Sequence, residues 1–186
     1  MFDRQAIKEE YEHRWQTCEV EPAMNNSAFY VVSHIQANKP AYEAASALCN
    51  GVPWYMIAAV HWREASGDFM RNLVNGQDWR EVTSIVPKGL GPWNSWEEAA
   101  AQALRPLEPF EVSIGSVFFA LEAHNGFGMR LYHPDVPSPY IYSGTQFYTK
   151  GKYASDGKFD PDLIDKQLGC MAILKALENK GEVLFG

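Results

Sequence analysis

Glu64 is the residue whose type and position most directly suggest chemistry. It lies near the end of segment 52–65, in which apolar side chains recur at helical spacing. His61 lies three residues before it, on the same predicted face. The spacing predicts that the Glu64 carboxyl group points inward on the apolar face of a helix. Apolar walls favour the neutral form of a carboxyl group, which a general acid needs near neutral pH. A structural role remains open, in which Glu64 only pairs with an arginine; the candidates are Arg63, Arg71 and Arg80.

The elements that must position Glu64 are mostly helical. Asp3 fits the N-cap of an amphipathic opening helix, and Ser95 to Glu98 fits a capping box that starts a later helix. Glycines and prolines interrupt the chain over 67–92, which predicts a loop or a small hairpin with short β-like pieces. Residues 127–160 form a long irregular stretch. The other predicted helices are Ser27 to Gln36, Pro40 to Cys49, Val112 to His124 and a last one starting at Asp160-Pro161.

Length and composition indicate one globular domain over 1–186. The 186 residues are 46% hydrophobic, which is enough to bury a core without metal or disulfide staples. A net charge of −7 argues against nucleic acid or anionic membranes as partners, since these reward clustered Lys and Arg. No repeat or second-domain boundary stands out along the chain.

The cysteines and histidines predict neither a disulfide framework nor a metal site. Cys18, Cys49 and Cys170 are odd in number and far apart, so we expect buried free thiols. His34, His124 and His133 lack the spacing of zinc ligands. We therefore expect no metal and no cofactor.

Several blocks of the sequence resemble one family. The run His61-Trp62-Arg63-Glu64-Ala65-Ser66-Gly67-Asp68-Phe69 resembles the catalytic helix end of goose-type lysozymes and lytic transglycosylases. It is more closely similar to phage and bacterial lysozyme-like proteins with a His-aromatic-Arg-Glu-Ser core. Further blocks of that pattern are Asn75-Gly76, Thr83, Val86 to Gly89, Trp96 to Ala99, Ser138 to Tyr140, Ser143 to Thr145, Gly151 to Tyr153 and Asp156 to Pro161.

The resemblance implies a lysozyme-like α+β fold, mainly helical, with a small β-hairpin or loop region beside the active-site cleft and no separate wall-binding domain. It implies an endolysin-type peptidoglycan hydrolase that cleaves the β-1,4 linkage between N-acetylmuramic acid and N-acetylglucosamine, with Glu64 as general acid. One departure is Ala65, where the broader superfamily has Ser, so Ser66 would have to supply a substrate-binding hydroxyl group. The alternatives are a lytic transglycosylase, a catalytically inactive module that binds glycan or protein, and a chitinase-like enzyme.

A second catalytic group is expected in the loop region. Glycosidases usually need a second carboxylate, which either attacks the sugar or activates water. Asp68, Asp78 and Glu81 are candidates, and we favour Asp78, because a lysozyme-like fold would fold its segment back over the acid. Thr83 would help to place a water molecule. Lytic transglycosylases often lack the second carboxylate, so the choice between the two chemistries stays open.

The aromatic residues of 127–160 are expected to handle carbohydrate. Flat amphipathic rings stack on sugar faces, and their hydroxyl groups bond to sugar hydroxyls. We expect Tyr140, Tyr142, Tyr148 and Tyr153 to bind substrate, although about half of the rings in this stretch would fill the core. The resemblance makes Tyr142 or Tyr148 a candidate for contact with the acid or with the substrate beside it.

The expected partner is the glycan strand of peptidoglycan, bound by a monomer. The first residues lack the apolar core of a signal peptide, and no apolar run approaches the length of a membrane span. We therefore expect no stable membrane association and a cytoplasmic protein until something else releases it to the cell wall.

Overall fold

The computed structural model describes residues 3–104, 110–155, 157–183 and 185. These residues form nine α-helices, a short 3-10 helix and one two-stranded antiparallel sheet, so the prediction of a mainly helical fold is confirmed. In chain order the elements are α1 (Arg4–Gln16), the 3-10 helix (Pro22–Met24), α2 (Asn25–Ala37), α3 (Lys39–Ala47), α4 (Trp54–Ala65), α5 (Trp96–Leu104), α6 (Ile114–Asn125), α7 (Gly128–Tyr132), α8 (Pro139–Tyr142), β1 (Lys152–Ser155), β2 (Lys158–Asp160) and α9 (Cys170–Asn179).

The chain divides into two compact units. We call residues 1–32 together with 113–186 the terminal unit, and residues 33–112 the central unit; the division falls within α2. The prediction of a single domain over 1–186 stays a prediction.

In the terminal unit, α1 begins after the predicted cap, Asp3. The Asp3 carboxylate accepts hydrogen bonds from the backbone N–H groups of Gln5 and Ala6, which a helix start otherwise leaves without partners. Helix α1 packs on α6 through a buried stripe, and this packing stabilises a helix more than intrinsic propensity does. The stripe consists of Ile7, Tyr11 and Trp15.

Helix α9 supplies much of the core of the terminal unit. Its residues from Cys170 to Leu174 are fully buried, and α9 packs against α8 and α6. Gly169, just before it, donates its backbone N–H to Ser143 O at 2.7 Å. A Cβ atom on Gly169 would lie 2.5 Å from Ile141 O, so only glycine fits this approach.

The prediction that the last helix starts at Asp160-Pro161 is wrong. Asp160 ends β2, which pairs antiparallel with β1, and the helix begins ten residues later at Cys170. The Asp160 carboxylate accepts hydrogen bonds from the backbone N–H groups of Asp162 (2.9 Å) and Leu163 (3.2 Å). An Asx turn of this kind uses the same backbone donors as a helix N-cap, so the two give the same sequence signal.

In the central unit, α4 is buried on nearly every side. Its residues from Met56 to His61 have no exposed surface, as expected for a helix surrounded by other elements. Helix α3 packs on both α4 and α5. Four rings, here called the aromatic cluster, fill the space among these helices and the segment after α4. They are Tyr42, His61, Phe69 and Trp96, with 4.6 to 5.8 Å between the centroids of contacting rings.

Candidate active site

Glu64 lies one residue before the end of α4 and is exposed to solvent. The prediction that its carboxyl group points inward is therefore wrong. The buried stripe passes from His61 to Ala65, four residues later, and Ala65 is only 7% exposed. Glu64 lies beside this stripe. Since burial strips a carboxylate of its hydration, the small apolar Ala65 is the better residue for the inward position.

The chain reverses immediately after Glu64. Ser66 has a left-handed backbone (φ +53°) and donates its N–H to Trp62 O at 3.0 Å, and Gly67 continues the turn with φ +77°. A Cβ atom on Gly67 would lie 2.7 Å from His34 Nε2, so this position needs glycine for both conformation and space. Ser66 is exposed and follows Glu64 by two residues, and its role in substrate binding stays a prediction.

Of the two predicted alternatives for this segment, a loop or a small hairpin, the structure has the loop; we call residues 71–93 the stapled loop. Among its described residues, strand-type pairing is limited to an isolated bridge between Arg71 and Asp78. Asn72, which has no exposed surface, shapes the first turn. Its Oδ1 accepts hydrogen bonds from the N–H groups of Val74 and Asn75, and its Nδ2 donates to Gln77 O at 2.8 Å.

Two further amides join the two halves of the stapled loop. Asn75 donates through Nδ2 to Ile85 O at 3.2 Å and to Pro87 O at 3.3 Å. Gln77 accepts through Oε1 from the backbone N–H of Ser84 at 2.8 Å. Side-chain amides thus add cross-links to the backbone hydrogen bonds of the loop, such as that from Trp93 N–H to Trp79 O at 3.1 Å.

Thr83 also belongs to the framework of the stapled loop. It is 3% exposed; its hydroxyl group donates to Pro87 O at 2.7 Å and accepts from the Leu90 N–H at 3.0 Å. The hydroxyl proton is therefore committed to a backbone carbonyl. This arrangement gives Thr83 a loop-holding role and does not support the predicted role in placing a water molecule.

Most of the carboxylates named as candidates for the second catalytic group already pair with arginines. Both oxygens of Asp78 accept hydrogen bonds from Arg80, and these bonds lower the pKa of Asp78 to about 2. Asp68 accepts from Arg71 Nε at 3.1 Å. Glu81 is exposed, and its charge acts on Arg80. A carboxylate with so low a pKa is a weak base, so the geometry does not favour Asp78 as the group that activates water.

His61, one helical turn before Glu64, is a buried neutral residue of the aromatic cluster. Its Nδ1 lies 2.9 Å from the Tyr42 hydroxyl, and its ring contacts Phe69 and Trp96. Burial lowers the pKa of His61 to about 4, although the nearby Asp68 backbone acts in the opposite direction. The imidazole therefore carries no charge at neutral pH.

This lowered pKa predicts a loss of stability in acid. In the unfolded chain His61 takes up a proton near pH 6.5, whereas the folded protein does so only near pH 4. Between these values the unfolded state binds more protons, so the free energy of unfolding falls by about 3 kcal/mol as the pH is lowered. Urea unfolding of wild type and His61→Gln at several pH values measures the effect. The variant should lose less stability over this window, and parallel curves would contradict the prediction.

The four tyrosines predicted to bind substrate lie in the terminal unit, whereas Glu64, Ser66, Asp78 and Thr83 lie in the central unit. Tyr140, Tyr142 and Tyr148 are buried, so the prediction that their rings stack on sugars is wrong. The Tyr148 hydroxyl accepts a hydrogen bond from the Asp165 N–H and donates to Gly151 O. Only Tyr153 is half-exposed, and its ring contacts His133 and Phe159.

Sequence reasoning missed a buried charge network in the terminal unit. Glu122 accepts hydrogen bonds from Tyr11 Oη at 2.7 Å and from Arg130 Nε at 3.0 Å. Arg130 also donates to Glu10 at 2.7 Å. The one available signal was Glu122 itself, a charged residue in an otherwise apolar helix pattern.

Comparisons with protein families, with curated proteins and with solved structures found no match for this chain. Within the described residues, no helix is long and apolar enough to cross a membrane. The same residues contain no group of three His, Cys, Asp or Glu side chains arranged to hold a metal ion.

Proposed function

We propose that this chain is a peptidoglycan-cleaving glycosidase of the lysozyme-like class, with Glu64 as its general acid. One observation carries the proposal: the sequence blocks that resemble this class around Glu64 contact one another in the structure. Asn75 of one block donates to Pro87 of another, and the Trp96 ring that opens a third lies 4.7 Å from the His61 ring. Such mutual contacts are expected if the blocks build one site.

The surroundings of Glu64 suit an acid that acts on a polymer. The carboxyl group is exposed, so a glycan strand has access to it, and its backbone belongs to the buried helix α4. A bound strand would exclude water from the carboxyl group, and this desolvation favours the neutral acid that protonates a glycosidic oxygen. The predicted desolvation would thus come from the substrate and not from the folded chain.

The pairing of candidate carboxylates with arginines favours a second candidate function, that of a lytic transglycosylase. Asp68 and Asp78 are held by Arg71 and Arg80, which leaves Glu81 as the remaining acidic candidate named from the sequence. A transglycosylase uses a hydroxyl group of its own substrate in place of water and needs no second carboxylate to activate it. In either case the protein would act on the cell wall after release.

Mass spectrometry of digested peptidoglycan separates the two reactions. Hydrolysis by water leaves reducing ends on the released fragments, whereas transglycosylation leaves anhydro ends. Given the pairing of Asp68 and Asp78, we expect anhydro ends to form a substantial share of the products. Intact glycan strands after prolonged incubation would contradict the proposed activity in both forms.

A further inference from the structure

The terminal unit contains a cavity of about 110 Å³ whose walls are unusually rich in charge. It has room for several water molecules or for a small polar group. Charged and polar side chains from α1, α6, α7 and α8 meet there, and residues 134–138 complete the wall. The residues that matter here are Glu10, Arg14, Glu122, Arg130, Asp135 and Tyr142.

Some of the charged groups that line this cavity already have hydrogen-bond partners. Glu122 is only 2% exposed, and its oxygens accept hydrogen bonds from Tyr11 and Arg130. Arg130 bridges Glu122 and Glu10, at 2.7 Å from a Glu10 oxygen. Both glutamates therefore already accept hydrogen bonds from a charged guanidinium group, and much of the donor set of Arg130 is engaged with them.

Two other groups that line the cavity, on Tyr142 and Arg14, have hydrogen-bond donors that are not in use. The Tyr142 residue is only 2% exposed, yet its hydroxyl group has no hydrogen-bond partner among the described residues. Arg14 lies over the Tyr142 ring, with its guanidinium carbon 4.7 Å from the ring centroid. Within the described part of the chain, the only carboxylate paired with Arg14 is Glu10, at 3.1 Å through one nitrogen. A guanidinium group has several N–H donors, so most of those of Arg14 remain available.

We propose that this cavity binds a carboxylate group, held by Arg14 and by the hydroxyl group of Tyr142. A guanidinium fork matches the two oxygens of a carboxylate, and an added hydroxyl donor strengthens such a pair. A ligand of this kind would also give the buried Tyr142 hydroxyl the partner that a buried polar group requires. Glu10 and Glu122 oppose an anion, but the charges of Arg14 and Arg130 balance them, and Asp135 is exposed to solvent.

A carboxylate suits these walls better than an ammonium group does. Every oxygen of Glu10 and Glu122 already lies within 3.1 Å of a guanidinium nitrogen. An ammonium ligand would have to share these oxygens and would lie beside two positive charges. A neutral ligand would gain no charge assistance from Arg14.

The ligand class rests on the proposed function, because peptidoglycan offers carboxylates from two sources. One is the lactyl group of N-acetylmuramic acid, and the other is the peptide stem. N-acetylmuramic acid and N-acetylglucosamine form a matched pair of probes, since they differ in the lactyl group that bears the carboxylate. The dipeptide L-Ala-D-Glu supplies peptide carboxylates without a sugar.

The test is an NMR titration of the full chain that follows the arginine Nε–H signals. We expect N-acetylmuramic acid, L-Ala-D-Glu or both to shift the Arg14 signal, and N-acetylglucosamine to leave it unchanged. Which of the first two binds identifies the source of the carboxylate. Arg14→Gln and Tyr142→Phe should each weaken this binding by about tenfold or more, because each removes a donor to a charged group. Arg4→Gln, on the same helix, is the matched control and should bind as wild type does.

Equal shifts with N-acetylglucosamine would overturn the carboxylate site, and so would the absence of binding by both carboxylates. Unchanged affinity in both Arg14→Gln and Tyr142→Phe would place the ligand elsewhere and overturn it as well. Because the titration needs no cleavage, the same result is expected with Glu64→Gln. Binding at Arg14 without any cutting of glycan would leave this site standing and remove the proposed enzyme activity alone.

Discussion

Glu64→Gln is expected to lower peptidoglycan cleavage by about 10² to 10⁴-fold while the protein stays folded. Glutamine keeps the size of the side chain but cannot deliver a proton to the leaving oxygen, and general acid catalysis contributes a factor of this order. Since Glu64 is exposed, the free energy of unfolding should change by no more than about 0.5 kcal/mol. Turbidity loss of purified cell walls measures the first quantity, and urea unfolding measures the second.

The matched control is Glu43→Gln, an exposed glutamate on α3 of the same unit. It should cleave walls at the wild-type rate. Full activity in Glu64→Gln would remove Glu64 from the mechanism. If wild type itself binds walls without cutting them, the chain is the catalytically inactive binding module considered from its sequence.

Arg130→Met is expected to destabilise the protein by about 3 to 5 kcal/mol. The change leaves the Glu122 carboxylate, only 2% exposed, without its guanidinium partner, and breaking a buried ion pair from one side has a cost of this size. The Tyr11 hydroxyl still donates to Glu122 but cannot supply a counter-charge. Urea unfolding followed by circular dichroism gives the change in free energy.

The double variant Arg130→Met with Glu122→Gln tests the reason for that loss. Because glutamine is neutral and can still accept from Tyr11, the double variant should recover a large part of the stability. Arg71→Met, which breaks the exposed pair with Asp68, should cost less than about 1 kcal/mol. A double variant no more stable than Arg130→Met would show that lost packing, and not an unpaired charge, sets the cost.

Helices with both a cap and a regular apolar stripe could be predicted from sequence. Asp3 caps α1 as expected, and Ser95 accepts a hydrogen bond from the Glu98 N–H at the start of α5. The Glu98 carboxylate completes this helix start differently from a capping box, because it accepts from Asn94. Local hydrogen bonds of this kind depend on a few neighbouring residues, which is why they can be predicted from the sequence.

The hairpin was harder to predict because two local signals competed. Asp156-Gly157 is a turn dipeptide typical of hairpins, and Gly157 has the positive φ (+70°) that such turns use. Asp160-Pro161 nevertheless has the pattern of a helix start. The pairing of β1 with β2 decides between them, and it depends on contacts that the local pattern does not contain.

The candidate site shows the same limit. The helix carrying Glu64 could be predicted, but a side chain three residues after His61 lies at the edge of the buried stripe, where spacing alone does not fix exposure. The roles of Asn72, Asn75 and Gln77 could not be predicted, since an amide side chain in a glycine-rich segment has the same signature in solvent as in a cross-link. The burial of Tyr140, Tyr142 and Tyr148 likewise depends on the tertiary packing of the terminal unit.

The stapled loop encodes its shape in a few side chains, and this affects how its sequence can diverge. Ile85 and Val86 are 52% and 81% exposed at its tip, and neither side chain makes the cross-links, which come from Asn72, Asn75, Gln77 and Thr83. Evolution or an engineer can therefore exchange the tip residues to alter what the loop touches without rebuilding its scaffold. An insertion between two of the anchoring residues would instead break the register on which every cross-link depends.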